Sequence, residues 1–243
     1  MLKKALRAAL RRAGIEVVAR HPRNYPRLRR PLLIEEEEIT LVLDVGANTG
    51  QWASEIRAGG YRGRIVSFEP GREAFEQLQR TAAADDLPWE TKQFAIGDAT
   101  GTATLHLTSN SVSSSLLALS ERHIAADPRS AVVGAETVDV VRLDGVADLV
   151  RPADRILLKA DVEGGELDVL EGAGALLAQT RLLELELSAV PLREGQPLLG
   201  EVVYWCERKG FALTGIEVSF RDRATGDLLS ANGFFRRVCR QDT

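Results

Sequence analysis

Two groups of acids, each set beside glycines, carry the chemistry available to this 243-residue chain. The first is Asp44, Gly46, Asn48 and Gly50 in LVLDVGANTG, residues 41–50, with Glu69 closing the apolar run that follows. Leu41, Val42 and Leu43 predict a buried strand, the glycines a tight turn, and residues 51–58 a helix. Glycine lets backbone approach a ligand closely. Glu69 ends the second predicted strand, where a carboxylate can accept both hydroxyls of a ribose. Asp44 and Glu69 therefore flank one crevice. The second group is Lys159, Asp161, Glu163, Gly164 and Glu166, where a strand at 156–158 runs into an acidic loop. Alternation along an extended chain points Lys159, Asp161 and Glu163 to the same side. A carboxylate there can take a proton from a hydroxyl, and Lys159 can lower a neighbouring acid's pKa.

The spacing of the first turn separates two cofactor classes. A dinucleotide site wants G-x-G-x-x-G with a pyrophosphate on the helix N-terminus, whereas this chain has G-x-N-x-G. S-adenosylmethionine carries an ammonium and a sulfonium and no phosphate, so Asp44 suits it through charge-assisted pairing. Asp161 and Glu163, with Glu184 or Glu186 on the next strand, also offer hard oxygen ligands to Mg²⁺, which would orient a diol acceptor. His106 is a further candidate base, although an exposed strand histidine is more often structural. The serine cluster at 109–115 reads as a flexible loop or an acceptor lid.

Around these groups the chain alternates between strand and helix patterns. Strands are predicted at 64–68, 89–97, 101–109, 138–146, 156–158, 181–187, 211–220 and 233–238, and helices at 72–84, 167–177 and 197–209. Such alternation implies a doubly wound α/β fold with a mainly parallel sheet and ligands at the carboxyl ends of its strands. The last two strands, joined without a helix, predict an antiparallel hairpin. Cys206 and Cys239 lack metal-ligand spacing and read as reduced thiols of a cytoplasmic protein.

Taken together, LDVGANTGQW, IVSFEPGREAFEQL, AIGDATGTATLHL, SSSL, VRLDGV, LLKADVEGGELDVLEGA and LELEL resemble the FkbM-type S-adenosylmethionine-dependent methyltransferases over residues 41–187. The resemblance implies a class I methyltransferase fold with a seven-stranded, mostly parallel sheet. It implies that Asp44, Gly46, Ala47, Asn48 and Gly50 form the cofactor loop, that Glu69 binds the ribose beside Pro70, and that Ile96 and Asp98 complete the cofactor site. Lys159, Asp161, Glu163, Gly164 and Glu166 match the family's K-x-D-x-E-G-x-E. Ala160 and Gly165 stand where a larger apolar residue is expected, which affects pocket shape. The activity implied is O-methylation of a small-molecule or glycan hydroxyl, on a sugar, glycolipid or polyketide-type acceptor. An NAD-dependent oxidoreductase and a non-catalytic glycan- or membrane-binding module are the rival readings.

Charge divides the chain unevenly. Residues 1–30 hold ten Lys and Arg against one acid, about +9, while the remainder of the 31 bases and 35 acids gives 21 minus 34, about −13. Residues 1–13 predict a basic amphipathic helix, able to lie loosely on an anionic membrane surface at the periphery of the cytoplasm and too short to span one. The overall acidity gives no reason to expect a nucleic-acid partner. HPRNYPRLRRP at 21–31 reads as a proline-rich connector and EEEE at 35–38 as a solvated run. The domain reading is a basic helix and connector at 1–30 and a methyltransferase domain at 31–243.

Overall fold

The computed structural model describes residues 21–127 and 130–238, together with Leu10 and Arg12. The predicted basic helix at 1–13 and Cys239 lie outside the described residues, those two positions aside. The strands, in chain order, are β1 (Leu41–Val45), β2 (Arg64–Phe68), β3 (Trp89–Lys92), β4 (Ala95–Gly97), β5 (Gly101–Thr108), β6 (Val132–Arg142), β7 (Ile156–Ala160), β8 (Thr180–Ser188), β9 (Phe211–Arg221) and β10 (Leu228–Arg237). Seven of them form one sheet in the order β3-β2-β1-β7-β8-β10-β9. β10 pairs antiparallel with both β8 and β9, and the other pairings are parallel. The expected hairpin forms, but its second strand inserts between β8 and β9.

Among the described residues the helices after position 20 are α1 (Pro26–Glu36), α2 (Gln51–Ala58), α3 (Arg72–Ala83), α4 (Glu121–Ala126), α5 (Glu166–Gly172) and α6 (Leu199–Arg208). Alternating residues of β1 enter opposite layers. Leu41, Leu43 and Val45 join a core with Val169, Leu170, Val202 and Cys206, whereas Val42 packs with Leu33, Ala53 and Ile56. Helices cover both faces, so the central parallel strands β1 and β7 are buried throughout. α3 docks through Phe75, Leu78 and Ala82, the stripe its periodicity predicts.

Several boundaries differ from expectation. The strand expected at 89–97 is two strands, because the chain leaves the main sheet after Lys92 and Ala95–Gly97 joins a separate three-stranded sheet of order β4-β6-β5. The strand expected at 138–146 starts earlier, at Val132, and ends at Arg142, where a 3-10 turn, Leu143–Leu149, takes over. The helix expected at 167–177 stops at Gly172, and Gly174, at φ +49°, opens a 3-10 turn. The connector expected at 21–31 is a 3-10 turn, Pro22–Asn24, and then α1. Pro26 takes the first helical position, which has no amide to satisfy. Glu37 of the acidic run is paired with Arg155 at 3.2 Å and Arg236 at 2.6 Å, so it is not simply solvated.

Candidate active site

β1 leads into the glycine turn and β7 into the second acidic loop, and the two turns touch. The Asp161 amide donates to the Val45 carbonyl at 3.2 Å. A Cβ on Gly46 would stand 2.0 Å from the Asp161 carbonyl oxygen, and Gly46 has φ +72°, so only glycine fits there. Asn48 continues the turn at φ +48°, a left-handed conformation that asparagine tolerates. Every amide of the turn already has an acceptor within the protein. Those of Gly46 and Ala47 donate to the Phe68 carbonyl and that of Gly50 to Ala47. Those of Asn48 and Thr49 donate to Glu69 Oε2 and Asn48 Oδ1.

A cavity of about 380 Å³ opens beside this turn, lined by Gly46, Asn48, Glu69, Pro70, Ile96 and Asp98 among the expected cofactor residues. Phe68, Phe94 and Leu105 supply apolar walls, and Ser111, Ser114 and Ser115 of the serine loop close the opposite side. Glu69 is 8% exposed. Its two oxygens each accept a backbone amide at 2.8 Å, from Asn48 and Gly71. Burial pushes its carboxyl up, against the pull of those amides and of Lys159. A second, more polar cavity of about 220 Å³ lies across the turn, lined by Ala47, Gln51, Trp52, Glu55, Lys159, Glu186 and Asn232. Gly46, Asn48, Val112 and Asp161 border both cavities.

Four expected roles are corrected by this geometry. Asp44 is fully buried and does not line either cavity. Its charge faces Lys159 Nζ at 3.2 Å, and Ser67 Oγ donates to it at 3.1 Å, so it does not meet a cofactor's cation. Lys159, expected in catalysis, donates to the Gly46 and Val45 carbonyls at 2.8 and 3.2 Å and holds the turn from below. Gly50, at φ +87°, packs toward Leu78 and Trp89 and shapes the start of α2 away from the first cavity. His106 lies in β5 between Leu105 and Leu107, and it is Leu105 that lines the cavity, with strand alternation turning His106 away.

These corrections reveal a polar row beneath the turn. Ser67, Asp44, Lys159 and Glu184 are register partners on the adjacent strands β2, β1, β7 and β8. Trp89 Nε1 donates to Ser67 at one end. At the other, Arg30 of α1 grips Glu184 with two bonds of 2.8 and 2.6 Å, and Trp52 Nε1 adds a third at 3.0 Å. Nothing in the local sequence around Arg30 announces that pairing, which spans 154 positions.

Asp161, Glu163 and Glu186 bring carboxylate oxygens within 4.8 Å of one another, as a shared cation would need. Glu163 already receives Arg193 Nη2 at 2.6 Å. Burial, followed by repulsion from Glu163, Asp161 and Glu166, holds the Glu186 carboxyl well above the usual range. The expected Mg²⁺ site thus has one of its three carboxylates already paired with Arg193. Glu166 folds the loop back on itself, its Oε1 accepting the Val162 and Gly164 amides at 3.0 and 3.2 Å.

The profile of the Methyltransferase FkbM domain matches residues 44–213. The chain belongs to the FkbM methyltransferase family. A curated relative, the methyltransferase sdnD of Sordaria araneosa, is 29% identical over 153 residues, covering 54% of this chain and 59% of its own. The crystal structure of the methyltransferase FkbM from Methylobacillus flagellatus KT superposes with a TM-score of 0.50 at 19% identity, over 81% of this chain and 43% of that one. The chain thus spans about half the length of these relatives, 59% of one and 43% of the other. The shared sheet is the class I, Rossmann-like methyltransferase fold that the motifs predict. Among the described residues no helix is long and apolar enough to cross a membrane.

Proposed function

We propose that this FkbM-family chain is an S-adenosylmethionine-dependent O-methyltransferase acting on the hydroxyl of a small-molecule, sugar, glycan or polyketide-type acceptor. The observation that carries the cofactor choice is the saturated turn. With each amide from Gly46 to Gly50 already donating, no nest of free N–H groups is left for a pyrophosphate. The carboxylates of Glu69 and Asp161 border the first cavity instead, an environment that favours a cation and repels a dinucleotide. Bound S-adenosylmethionine supplies an activated methyl on a positively charged sulfonium. Glu69 retains lone pairs for the ribose hydroxyls, and the apolar slot of Phe68, Phe94 and Ile96 suits a flat base. Pro70 and Asp98 border the same slot.

The acceptor occupies the second cavity in this reading, with its hydroxyl directed at the partition formed by Asn48 and Asp161. Asp161 holds the hydroxyl and accepts its proton as the oxygen attacks the methyl. Because the leaving group is already activated, alignment across the partition is the main contribution of the protein.

Calorimetry on the purified chain is expected to show S-adenosylmethionine binding and no NAD binding. Glu69→Ala should weaken the former by about 1.5–3 kcal/mol, the range for hydrogen bonds to a charged group. NAD binding as tight as that of S-adenosylmethionine would overturn the cofactor assignment, and an unchanged Glu69→Ala variant would place the ribose elsewhere.

A further inference from the structure

Arg193 is the bulkiest of the fully buried side chains, 1% exposed, and it lies in a loop whose sequence, PLREGQ, carries no recognisable motif. Its Nη2 alone makes two contacts, to the Ser113 carbonyl at 2.7 Å and to Glu163 Oε2 at 2.6 Å. Nε and Nη1 are buried with no hydrogen-bond partner among the described residues. A cation buried with unsatisfied donors is costly to folding unless its placement is required by something else.

Its two partners indicate the requirement. Ser113 belongs to the serine loop that closes the first cavity, and Glu163 follows Asp161 at the partition. Glu163 is one of three non-glycine residues held at positive φ among the described residues, at +59°, a conformation that persists only where the surroundings enforce it. The surroundings do so from two directions. Arg193 holds the Glu163 carboxylate, and Ser115 Oγ donates to its backbone carbonyl at 2.8 Å. Gly164, at φ +109°, packs against the Arg193 stem, where a Cβ would come within 3.1 Å of Cγ. The Arg193 loop is itself stitched to the segment after the serine loop, since Glu194 donates to the Ala118 carbonyl and Ser120 to Leu192, both at 3.0 Å.

We infer that Arg193 is the positioning residue of this site: one guanidinium nitrogen fixes the serine loop to the strained Asp161–Glu163 turn, so that the wall of the cofactor cavity and the partition are set together. The inference rests on the assignment of the first cavity to S-adenosylmethionine. Arg193 touches neither cavity and acts through Glu163 and the loop. Burial, with Arg193 pulling the other way, leaves the Glu163 carboxyl raised to about 7.

The test is S-adenosylmethionine affinity by calorimetry well below the unfolding midpoint, where a merely structural role would leave Kd unchanged. Arg193→Met should weaken binding about tenfold or more, the scale of one lost charge-assisted contact, and Arg193→Lys should recover most of that loss. Because both partners act as one unit, the Arg193→Met, Glu163→Gln double variant should bind no more weakly than the weaker single variant. A folded Arg193→Met variant with parental affinity, or a double variant whose losses add, would overturn the inference. If Arg193→Met does not fold, Ser115→Ala decides, since it cuts the second tie to Glu163 without burying a charge. Weaker binding with faster hydrogen exchange at residues 111–117 supports the strap, and parental behaviour in both readouts removes it. If the parent chain fails to bind S-adenosylmethionine, the proposed function falls and takes this inference with it. Parental binding with unaffected variants removes the inference alone.

Discussion

Asp161→Asn is expected to slow methyl transfer by about 10²–10⁴-fold, the usual contribution of a positioned general base, while S-adenosylmethionine affinity changes little. Asp161 borders both cavities at the partition, and its backbone is locked by the bond to Val45 and by the close approach of Gly46. Asparagine keeps the volume and loses the base, so the turn should survive. Single-turnover transfer from labelled cofactor, measured beside calorimetric binding, separates chemistry from affinity. Transfer at the parental rate by a variant that binds cofactor normally would remove Asp161 from the chemical step. The same assay after exhaustive chelation is expected to give the parental rate, because Arg193 already neutralises Glu163. A rate abolished by chelation and restored by Mg²⁺ would reinstate the metal.

The second large effect concerns folding. Arg30 and Glu184 are each 5% exposed, and removing one partner of such a pair leaves an uncompensated buried charge at a cost of about 3–5 kcal/mol. Arg30→Met should therefore lower the midpoint of thermal unfolding by roughly 10 °C for a chain of this size. Arg30→Met with Glu184→Leu should recover more than half of the loss, since replacing both ions with apolar groups is often close to neutral. A single variant as stable as the parent would show that Trp52 and nearby water suffice for Glu184.

The layout of the sheet was legible because parallel strands covered on both faces carry continuous apolar runs, as in Leu41–Leu43 and Ile156–Leu158. The insertion of β10 between β8 and β9 was not legible, because a hairpin in sequence fits either order. The split at residues 93–94 was hidden for a similar reason: an extended chain that changes sheets keeps its strand-like composition. Prolines misdirected the reading of residues 21–31, since Pro26 is at home at the first position of α1 and Pro31 is tolerated within it. In the site, residue type and spacing located Gly46, Glu69 and Asp161 beside one cavity. They did not reveal that Asp44 and Lys159 neutralise each other, because adjacency in register depends on strands more than a hundred residues apart. Arg193 had no signal of its own, for its role exists only through the carbonyl of Ser113 and the carboxylate of Glu163.

The grip of Arg30 on Glu184 also decides where this protein can be shortened. Composition invites a cut at residue 31, between the basic stretch and the acidic remainder. Such a cut would remove Arg30 and the start of α1, so a loss of membrane attachment could not be told from damage to the fold. A chain beginning at His21 keeps α1, the Glu184 pair and the support beneath the cofactor turn, and discards only the segment ahead of it. That shortened chain is the proper partner for the parent in vesicle co-sedimentation, and the proper unit to graft onto another protein.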